Sequence, residues 1–396
     1  MTYLEARDQA QLKELERAVS EFIRLRNQYA SPEKRKTVIL FPGGCGSELK
    51  RSRAAYSGGA SPDPTLFQTV WLNIYTLIGA ALMLKMKRDA AGHWVDADRH
   101  IVIAGGSVQA FGYTPYDSFA DWCAQRGIDV FFYGYDWRRP IPEVSDFFAK
   151  KFLPSFCKRL RDEYKVDPLA QMTLIGHCLG GMLVNWILRK HPKALPEPNK
   201  AITVATPFYG YSGQIGRWFV GEPLLNHLGQ DEMVRVISSF PALYTVNLLE
   251  ERIYLANACA FKDDAYPLAA YPCVDSKTKK PADPYRPVEV PPNFRYPQAE
   301  ITGFCRTELE AARQVAETLT GPLDKALSSR FYNIRGVRPK NRTRTPFTWD
   351  WITREFDPAK NVSPIHLGLR VPGDDTQPAW TTRLLRACTS RSGAAS

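Results

Sequence analysis

The sequence predicts an α/β fold, in which helices cover both faces of a mostly parallel β-sheet. Short runs rich in β-branched and aromatic residues recur along the chain, each bounded by glycine or proline, and indicate buried strands. Amphipathic helical patterns separate several of these runs, and this alternation is typical of a parallel sheet buried on both sides. The predicted strands are residues 37–41, 101–104, 130–135, 172–175, 201–205, 331–334 and 366–371. The predicted helices are residues 118–126, 146–164 and 182–190.

The chain divides into segments around this core. The charged N-terminal residues have an amphipathic helical pattern. A later stretch rich in proline and aromatic residues breaks the alternation, and we expect it to fold over the sheet. The segments are an N-terminal helix, the core with an insertion at about 50–100, a cap or lid insertion, the second part of the core, and a small polar tail: 1–36, 37–207, 208–329, 330–388 and 389–396.

The composition bounds the compartment and the partners. A formal net charge of +11 favours contact with anionic surfaces. The chain has no nucleic-acid motif, so lipid headgroups are the favoured anionic surface and no nucleic-acid partner is expected. The N-terminus lacks the apolar core of a secretion signal, and the eight scattered cysteines are typical of reduced thiols and not of a zinc site. We therefore expect a cytoplasmic protein with no metal or cofactor, and leave peripheral contact with an anionic membrane open.

The most apolar window of the chain covers residues 70–84. A membrane span needs about 20 residues, and this window is shorter. We expect a buried helix here. The alternative is a lipid-binding surface, since Trp71 and Tyr75 lie in the window and the basic residues Lys85 and Lys87 follow it.

The motif Gly-His-Cys-Leu-Gly at 176–180 indicates a nucleophile held in a sharp turn. An apolar strand precedes it and a helical pattern follows it, which is the context that a nucleophile elbow requires. Cys178 would begin the helix, where the dipole favours a thiolate. His177 is the variable position of the motif and is expected to point away from the nucleophile. The alternative is a small buried cysteine in an ordinary strand–helix turn.

Glycine-rich and acidic turns follow other predicted strands and are expected at the same sheet edge. The turn at 42–47 contains Gly44, and the backbone amide of Cys45 is our candidate oxyanion donor together with that of Leu179. The turn at 205–210 contains Phe208 and would form the floor of the pocket.

Two acidic segments complete the predicted site. Asp136 and Arg138 either brace the site or form a buried pair that holds a loop. In the turn at 371–378, Asp374 is the candidate orienting acid, with Asp375 in reserve. Taken alone, this segment would be an ordinary acidic turn.

Taken in order, these motifs resemble those of the lecithin:cholesterol acyltransferase family, which includes the phospholipid:diacylglycerol acyltransferases and their bacterial relatives. The matching stretches are 42–49, 70–73, 135–138, 176–180, 205–207 and 373–376. The resemblance implies an α/β-hydrolase fold and acyl transfer through a covalent acyl-enzyme. It places the nucleophile on Cys178, the carboxylate on Asp374, and the oxyanion donors on the backbones of Cys45 and Leu179.

The sequence departs from the family pattern at two places. Members usually carry serine at the position of Cys178, and a thioester formed on cysteine is a good acyl donor. The family's histidine base follows the aspartate, whereas this sequence has no histidine after His366. The chain could be shortened or altered in frame before that histidine, it could be a catalytically impaired binding or scaffolding protein, or a helix-terminus thiolate could act without a base.

The sequence therefore predicts an acyltransferase or esterase- and lipase-like protein that acts on acyl-lipid, ester or thioester substrates. Its alternative is a binding protein on the same fold.

Overall fold

The computed structural model describes the backbone of residues 1–72, 81–109, 114–197, 199–210, 236–237, 239–246, 273–274, 298–334, 342–344, 349–350 and 370–372. Its centre is a five-stranded parallel sheet flanked by helices. From one edge to the other, its strands are residues 331–334, 200–204, 172–177, 36–41 and 128–132. The predicted α/β fold is therefore confirmed. The strands are β1 Lys36–Phe41, β2 Ser47–Ala55, β3 Gln68–Trp71, β4 Met86–Arg88, β5 Trp94–Asp96, β6 His100–Ser107, β7 Ile128–Phe132, β8 Met172–His177, β9 Lys200–Val204, β10 Cys273–Val274, β11 Phe331–Ile334, β12 Arg342–Arg344, β13 Trp349–Asp350 and β14 Arg370–Pro372.

Helices pack against this sheet and against the strand at His100–Ser107. They are α1 Tyr3–Arg26, α2 Asp117–Ala124, α3 Ile141–Phe147, α4 Leu153–Tyr164, α5 Leu179–Lys190, α6 Pro241–Thr245, α7 Gln298–Thr320 and α8 Lys325–Arg330. Short 3₁₀ turns lie at Pro32–Lys34, Pro64–Leu66, Ala81–Leu84, Pro168–Gln171 and Pro192–Ala194. Within the described ranges, no helix combines the length and the apolar character that a bilayer crossing requires.

The apolar side chains of β1 divide the core between the two faces of the parallel sheet. Ile39 and Phe41 point into the large core. Val38 and Leu40 point to the other face, where Phe119 of α2 packs against their cluster. Because successive strand residues face opposite sides, an uninterrupted apolar run such as β1 is what a doubly covered strand requires.

A small antiparallel sheet, in the order β3-β2-β6, lies beside the parallel sheet. The predicted strand at 101–104 forms part of β6, but our assignment of it to the parallel sheet is wrong. It pairs with β2, so that Lys50 lies opposite Ile103. Helix α1 packs on this sheet, and the Gln11 side chain exchanges hydrogen bonds with both backbone groups of Ala104, at 3.1 and 2.7 Å.

The predicted helix across residues 70–84 is also wrong at its start. Val70 and Trp71 belong to β3, where Trp71 pairs with Leu49, and Ala81–Leu84 at the end of the window form a short 3₁₀ turn, whereas residues 73–80 lie outside the described part of the chain. Pairing with β2 buries Val70 and Trp71 as a strand, and tertiary pairing of this kind overrides local helical preference.

Two further predictions need correction. The predicted helix at 146–164 begins earlier, at Ile141, and contains a π-helical segment, Phe148–Phe152. Pro154 follows this segment, and because proline lacks an amide hydrogen and crowds the preceding turn, it accounts for the irregularity. The predicted strand at 366–371 is described only as β14, which pairs antiparallel with β12 in a separate two-stranded sheet.

A buried cluster of ion pairs holds the segment that follows β7. Arg138 is fully buried and pairs with Asp136 at 2.7 Å and with Asp96 at 2.8 Å. Arg139 contacts Asp136 at 3.2 Å and Glu143 at 2.9 Å. Burial is the largest single influence on Asp136 and disfavours its carboxylate, but the charge and hydrogen bonds of Arg138 and the charge of Arg139 together outweigh burial and hold the pKa of Asp136 below its usual value. The cluster thereby ties the loop after β7 to β5 and to helix α3.

Removing Arg138 should destabilise the protein strongly. Arg138→Met leaves Asp136 and Asp96 buried without their main cation, which costs about 3–5 kcal/mol at pH 7. Because the pKa of Asp136 is lowered in the folded wild-type protein, its contribution is present above about pH 4 and is lost as the pH falls through the folded-state pKa. The difference between wild type and variant in urea unfolding should therefore shrink on acidification.

Arg24→Met is the matched control for this prediction, because Arg24 and its partner Glu21 are both largely exposed. It should leave the free energy of unfolding unchanged. An Arg138→Met variant as stable as wild type at pH 7 would contradict a stabilising role for the cluster.

Candidate functional site

Three central strands end together at one edge of the parallel sheet. In the strand register, Phe41 at the end of β1 lies opposite Gly176, and His177 at the end of β8 lies opposite Val204 at the end of β9. Ligands of open α/β sheets bind beyond the carboxyl ends of the strands. The loops that follow these strands therefore form the candidate site.

Cys178 occupies the single residue between β8 and α5. Its φ of 51° is rare for a residue with a side chain, and its backbone amide donates to the carbonyl of Val204 at 2.9 Å. The side chain is partly exposed. The chain therefore turns sharply here, between strand and helix, and presents the Cys178 side chain at the sheet edge.

Glycines let this turn, the Cys178 turn (residues 176–180), pack directly on neighbouring backbone. A Cβ atom on Gly180 would overlap the carbonyl oxygens of Phe41 and Pro42. One on Gly176 would overlap the backbone of Gly180, and one on Gly181 would overlap the Thr206 side chain. The start of α5 thus lies in backbone contact with the end of β1, which only glycine permits.

The glycine loop (residues 42–47), which joins β1 to β2, is fixed by hydrogen bonds from outside it. The Tyr135 hydroxyl donates to the carbonyl of Pro42 at 2.8 Å, and the Trp71 indole donates to that of Cys45 at 2.9 Å. The Val108 amide donates to the carbonyl of Gly46 at 3.0 Å. Burial and, after it, the nearby Cys178 sulfur raise the pKa of Tyr135 well above its usual range, so its hydroxyl remains a donor.

The glycine loop and the Cys178 turn lie side by side. A Cβ atom on Gly43 would stand 3.2 Å from the Cβ of Cys178, and one on Gly44 would stand 3.7 Å from the Leu179 side chain. Leu179 begins α5, and a first-turn amide has no acceptor within its helix. The Gly44 amide donates to no acceptor in the described part of the chain. The backbone amides of Leu179 and Gly44 therefore both lie in the region around Cys178.

Cys45, the donor chosen from the sequence, lies one residue further along the loop. It is exposed and adopts a φ of 65°. Its amide as an oxyanion donor stays a prediction, and the contact with Leu179 makes Gly44 the stronger candidate.

Sequence reasoning missed two tyrosines that contact the site. Tyr116 precedes α2, and its hydroxyl accepts from the Gly43 amide at 2.9 Å and lies 3.0 Å from Nδ1 of His177. Tyr135 donates a hydrogen bond to the glycine loop and lies near Cys178. No local pattern marks Tyr116, because its partners are distant in sequence. Tyr135 is the last residue of the predicted strand at 130–135, and this position at the sheet edge was the available signal.

Other residues predicted for the site lie elsewhere or are bound into the structure. Asp136 and Arg138 belong to the buried ion-pair cluster, which favours the loop-holding role over direct substrate contact. Phe208 is buried and packs against Phe331 of β11. Asp374 and Asp375 lie outside the described residues.

No described histidine other than His177 lies at this sheet edge. His100 contacts the carbonyl of Ser52 in the antiparallel sheet. His191 ends α5, twelve helical residues from Cys178, and pairs with Asp146. His93 follows β4, away from the parallel sheet, and His227 and His366 lie outside the described residues. Within the described ranges, no group of three or more His, Cys, Asp or Glu side chains is placed to hold a metal ion.

Gly180→Ala should damage both the fold and the site. The new methyl group would meet two carbonyl oxygens of the chain at Phe41 and Pro42, and overpacking of this kind costs about 1–3 kcal/mol or more. Gly106→Ala is the control, since no heavy atom of the described residues lies within 4 Å of the methyl position. Urea unfolding of both variants checks the prediction, and equal stabilities would contradict the close backbone contact.

Comparison with known proteins supports the fold and gives one partial relative. No protein-family profile matches the chain. A stretch of 92 residues, 23% of the chain, is 36% identical to phospholipase A(1) LCAT3 of Arabidopsis thaliana. The matched stretch spans only 19% of the Arabidopsis protein, so the relationship is shown for that part alone.

Among solved structures, a chain of the Tle4–Tli4 complex aligns with a TM-score of 0.50 and 13% identity, covering 88% of each chain. At this identity the likeness concerns the fold. The lin2722 gene product of Listeria innocua aligns over 52% of this chain and 66% of its own, at 12% identity and a TM-score of 0.18, which carries no weight. The chain thus has an α/β fold like that of the Tle4–Tli4 structure, and 92 of its residues are similar to part of phospholipase A(1) LCAT3.

Proposed function

We propose that this protein is a lipid-ester hydrolase or acyltransferase that forms a covalent acyl-enzyme on Cys178. The observation that carries the proposal is the position of Cys178, at the start of α5 with a φ of 51° and with the glycine loop against it. A thiolate at a helix N-terminus is favoured by the helix dipole and needs less activation than a hydroxyl.

In the proposed first step, the Cys178 thiolate attacks the carbonyl carbon of an ester. The carbonyl oxygen becomes an oxyanion that accepts hydrogen bonds from the Leu179 and Gly44 amides. In many acyl-transfer enzymes, such pre-oriented donors make the largest single contribution to the rate enhancement. The tetrahedral adduct then expels the alkoxide, which takes a proton from water, and a thioester remains on Cys178.

In the second step, water or an alcohol attacks the thioester carbonyl. The attacking oxygen loses its proton to the hydroxide that the first step left, the thiolate leaves, and the product is a carboxylic acid or a new ester. We keep Asp374 as the proposed carboxylate that would orient the general base of this step.

A lipid substrate is supported by the sequence relationship. The stretch shared with phospholipase A(1) LCAT3 links the chain to a protein named for phospholipid hydrolysis. The motifs at 42–49 and 176–180 match the acyltransferase family in order, and the former contains the glycine loop. Acyl-lipids are therefore the substrate class that we propose.

An activated ester should acylate Cys178 selectively. After incubation with p-nitrophenyl butyrate, the intact mass should increase by one butyryl group, and Cys178→Ala should abolish the increase. Burial raises the pKa of Cys157 to about 12, so its thiol is not a competing nucleophile. Among the cysteines whose side chains the structure describes, the exposed Cys45 is the competitor to test, and Cys45→Gly, compatible with its positive φ, should retain the adduct.

An adduct that persists in Cys178→Ala, or no adduct with any ester, would overturn covalent catalysis at this residue. Specific binding of the ester without an adduct would instead favour the binding-protein alternative.

Vesicles test the substrate class and separate transfer from hydrolysis. With vesicles of a radiolabelled phosphatidylcholine, the wild-type protein should release labelled fatty acid or pass it to an added long-chain alcohol. Cys178→Ala should do neither, and the Arg24→Met surface variant should match wild type. Turnover of soluble esters without any reaction on vesicles would contradict the lipid assignment while leaving the chemistry intact.

A further inference from the structure

We propose that Tyr116 and His177 are positioning residues that hold the glycine loop in place for oxyanion stabilisation at Cys178. The inference rests on the proposed function and adds two residues to it. It gives His177 a task other than that of general base. The supporting observation is a chain of polar contacts that runs from the Cys178 turn to the glycine loop.

The structure gives the direction of the first hydrogen bond in this chain, and the proposal assigns the direction of the second. The Gly43 amide donates to the Tyr116 hydroxyl oxygen at 2.9 Å. The same oxygen lies 3.0 Å from Nδ1 of His177. A phenol has one proton, and we assign that proton to the bond with Nδ1, which makes Nδ1 an acceptor. A neutral His177 then carries its own proton on Nε2.

The geometry brings this chain against Cys178. The Cβ position of Gly43 is 3.1 Å from Nδ1 of His177 and 3.2 Å from the Cβ of Cys178. A Cβ on Gly46 would stand 3.1 Å from the Tyr116 hydroxyl. Tyr116 therefore lies beneath the loop between two of its glycines, and His177 connects it to the turn that carries Cys178.

The contact determines where the neighbouring Gly44 amide lies. With its amide held by Tyr116 and its carbonyl accepting from the Gly46 amide at 3.0 Å, Gly43 has both backbone groups fixed. A displacement of about 1 Å is enough to weaken a preorganised site substantially. Loss of the Tyr116 hydroxyl should therefore affect steps that develop an oxyanion and spare steps that do not.

Two reactions of the same sulfur separate these effects. Acylation by p-nitrophenyl butyrate passes through a tetrahedral oxyanion, whereas alkylation by iodoacetamide displaces iodide without one. In Tyr116→Phe, acylation of Cys178 should slow by about tenfold to hundredfold, less than the loss of a donor itself. Alkylation should keep the wild-type rate.

Substitutions of His177 and of a distant tyrosine provide matched variants. Asparagine can place an amide oxygen near the position of Nδ1, so His177→Asn should retain much of the acylation rate, while His177→Leu should lose as much as Tyr116→Phe. Tyr56→Phe is the control, because the Tyr56 hydroxyl also has two hydrogen-bond partners, here the backbone carbonyls of Met1 and Gly59 in the cluster around α1. It should leave both reactions unchanged.

A wild-type acylation rate in Tyr116→Phe would overturn the proposal, and so would an equal loss of acylation and alkylation, which indicates collapse of the turn. The tautomer of His177 can be measured by nitrogen-15 NMR of imidazole-labelled protein. This measurement tests the Tyr116–His177 contact independently of catalysis. The proposal requires the proton on Nε2 in the neutral ring, and a proton on Nδ1 would overturn it. If NMR places the proton on Nε2 but the wild-type protein forms no adduct, the Tyr116–His177 contact stands. The proposed function, and with it the catalytic purpose of this pair, would then be refuted.

Discussion

The candidate site depends on one close approach of backbone to backbone, between the first turn of α5 and the end of β1. Gly180 permits it because any side chain there would overlap the carbonyls of Phe41 and Pro42. With the helix seated so closely, Cys178 must turn through a positive φ, and its side chain is directed to the sheet edge. The glycine loop begins at Pro42, so the same contact places this loop beside Cys178.

The small antiparallel sheet supports the glycine loop from outside the parallel core. The loop continues into β2, Trp71 of β3 binds the carbonyl of Cys45, and Val108 after β6 binds that of Gly46. From the segment that follows β7, the Tyr135 hydroxyl donates to the carbonyl of Pro42. Since the ion-pair cluster around Arg138 fixes the segment just after Tyr135, charges buried away from the site contribute to the geometry of the loop.

The sequence predicted local features well and long-range pairing poorly. The strands at 37–41 and 172–175 were predictable because each is a short, largely apolar run that two layers must cover. The strand partners of Val70 and Ile101 were not, because pairing with β2 depends on contacts across tens of residues. In the site, the glycine spacing predicted the sharp turn at Cys178. Tyr116 could not be found, since its value lies in a bond to Gly43, 73 residues away.

The most direct test is a crystal structure of the protein after reaction with an alkyl trifluoromethyl ketone, which a nucleophilic thiolate converts to a tetrahedral adduct. We expect the adduct on the sulfur of Cys178, with its oxygen about 2.7–3.1 Å from the amide nitrogens of Leu179 and Gly44. An unmodified Cys178 in the presence of the ketone, or an adduct oxygen that points to solvent and contacts neither amide, would contradict the account.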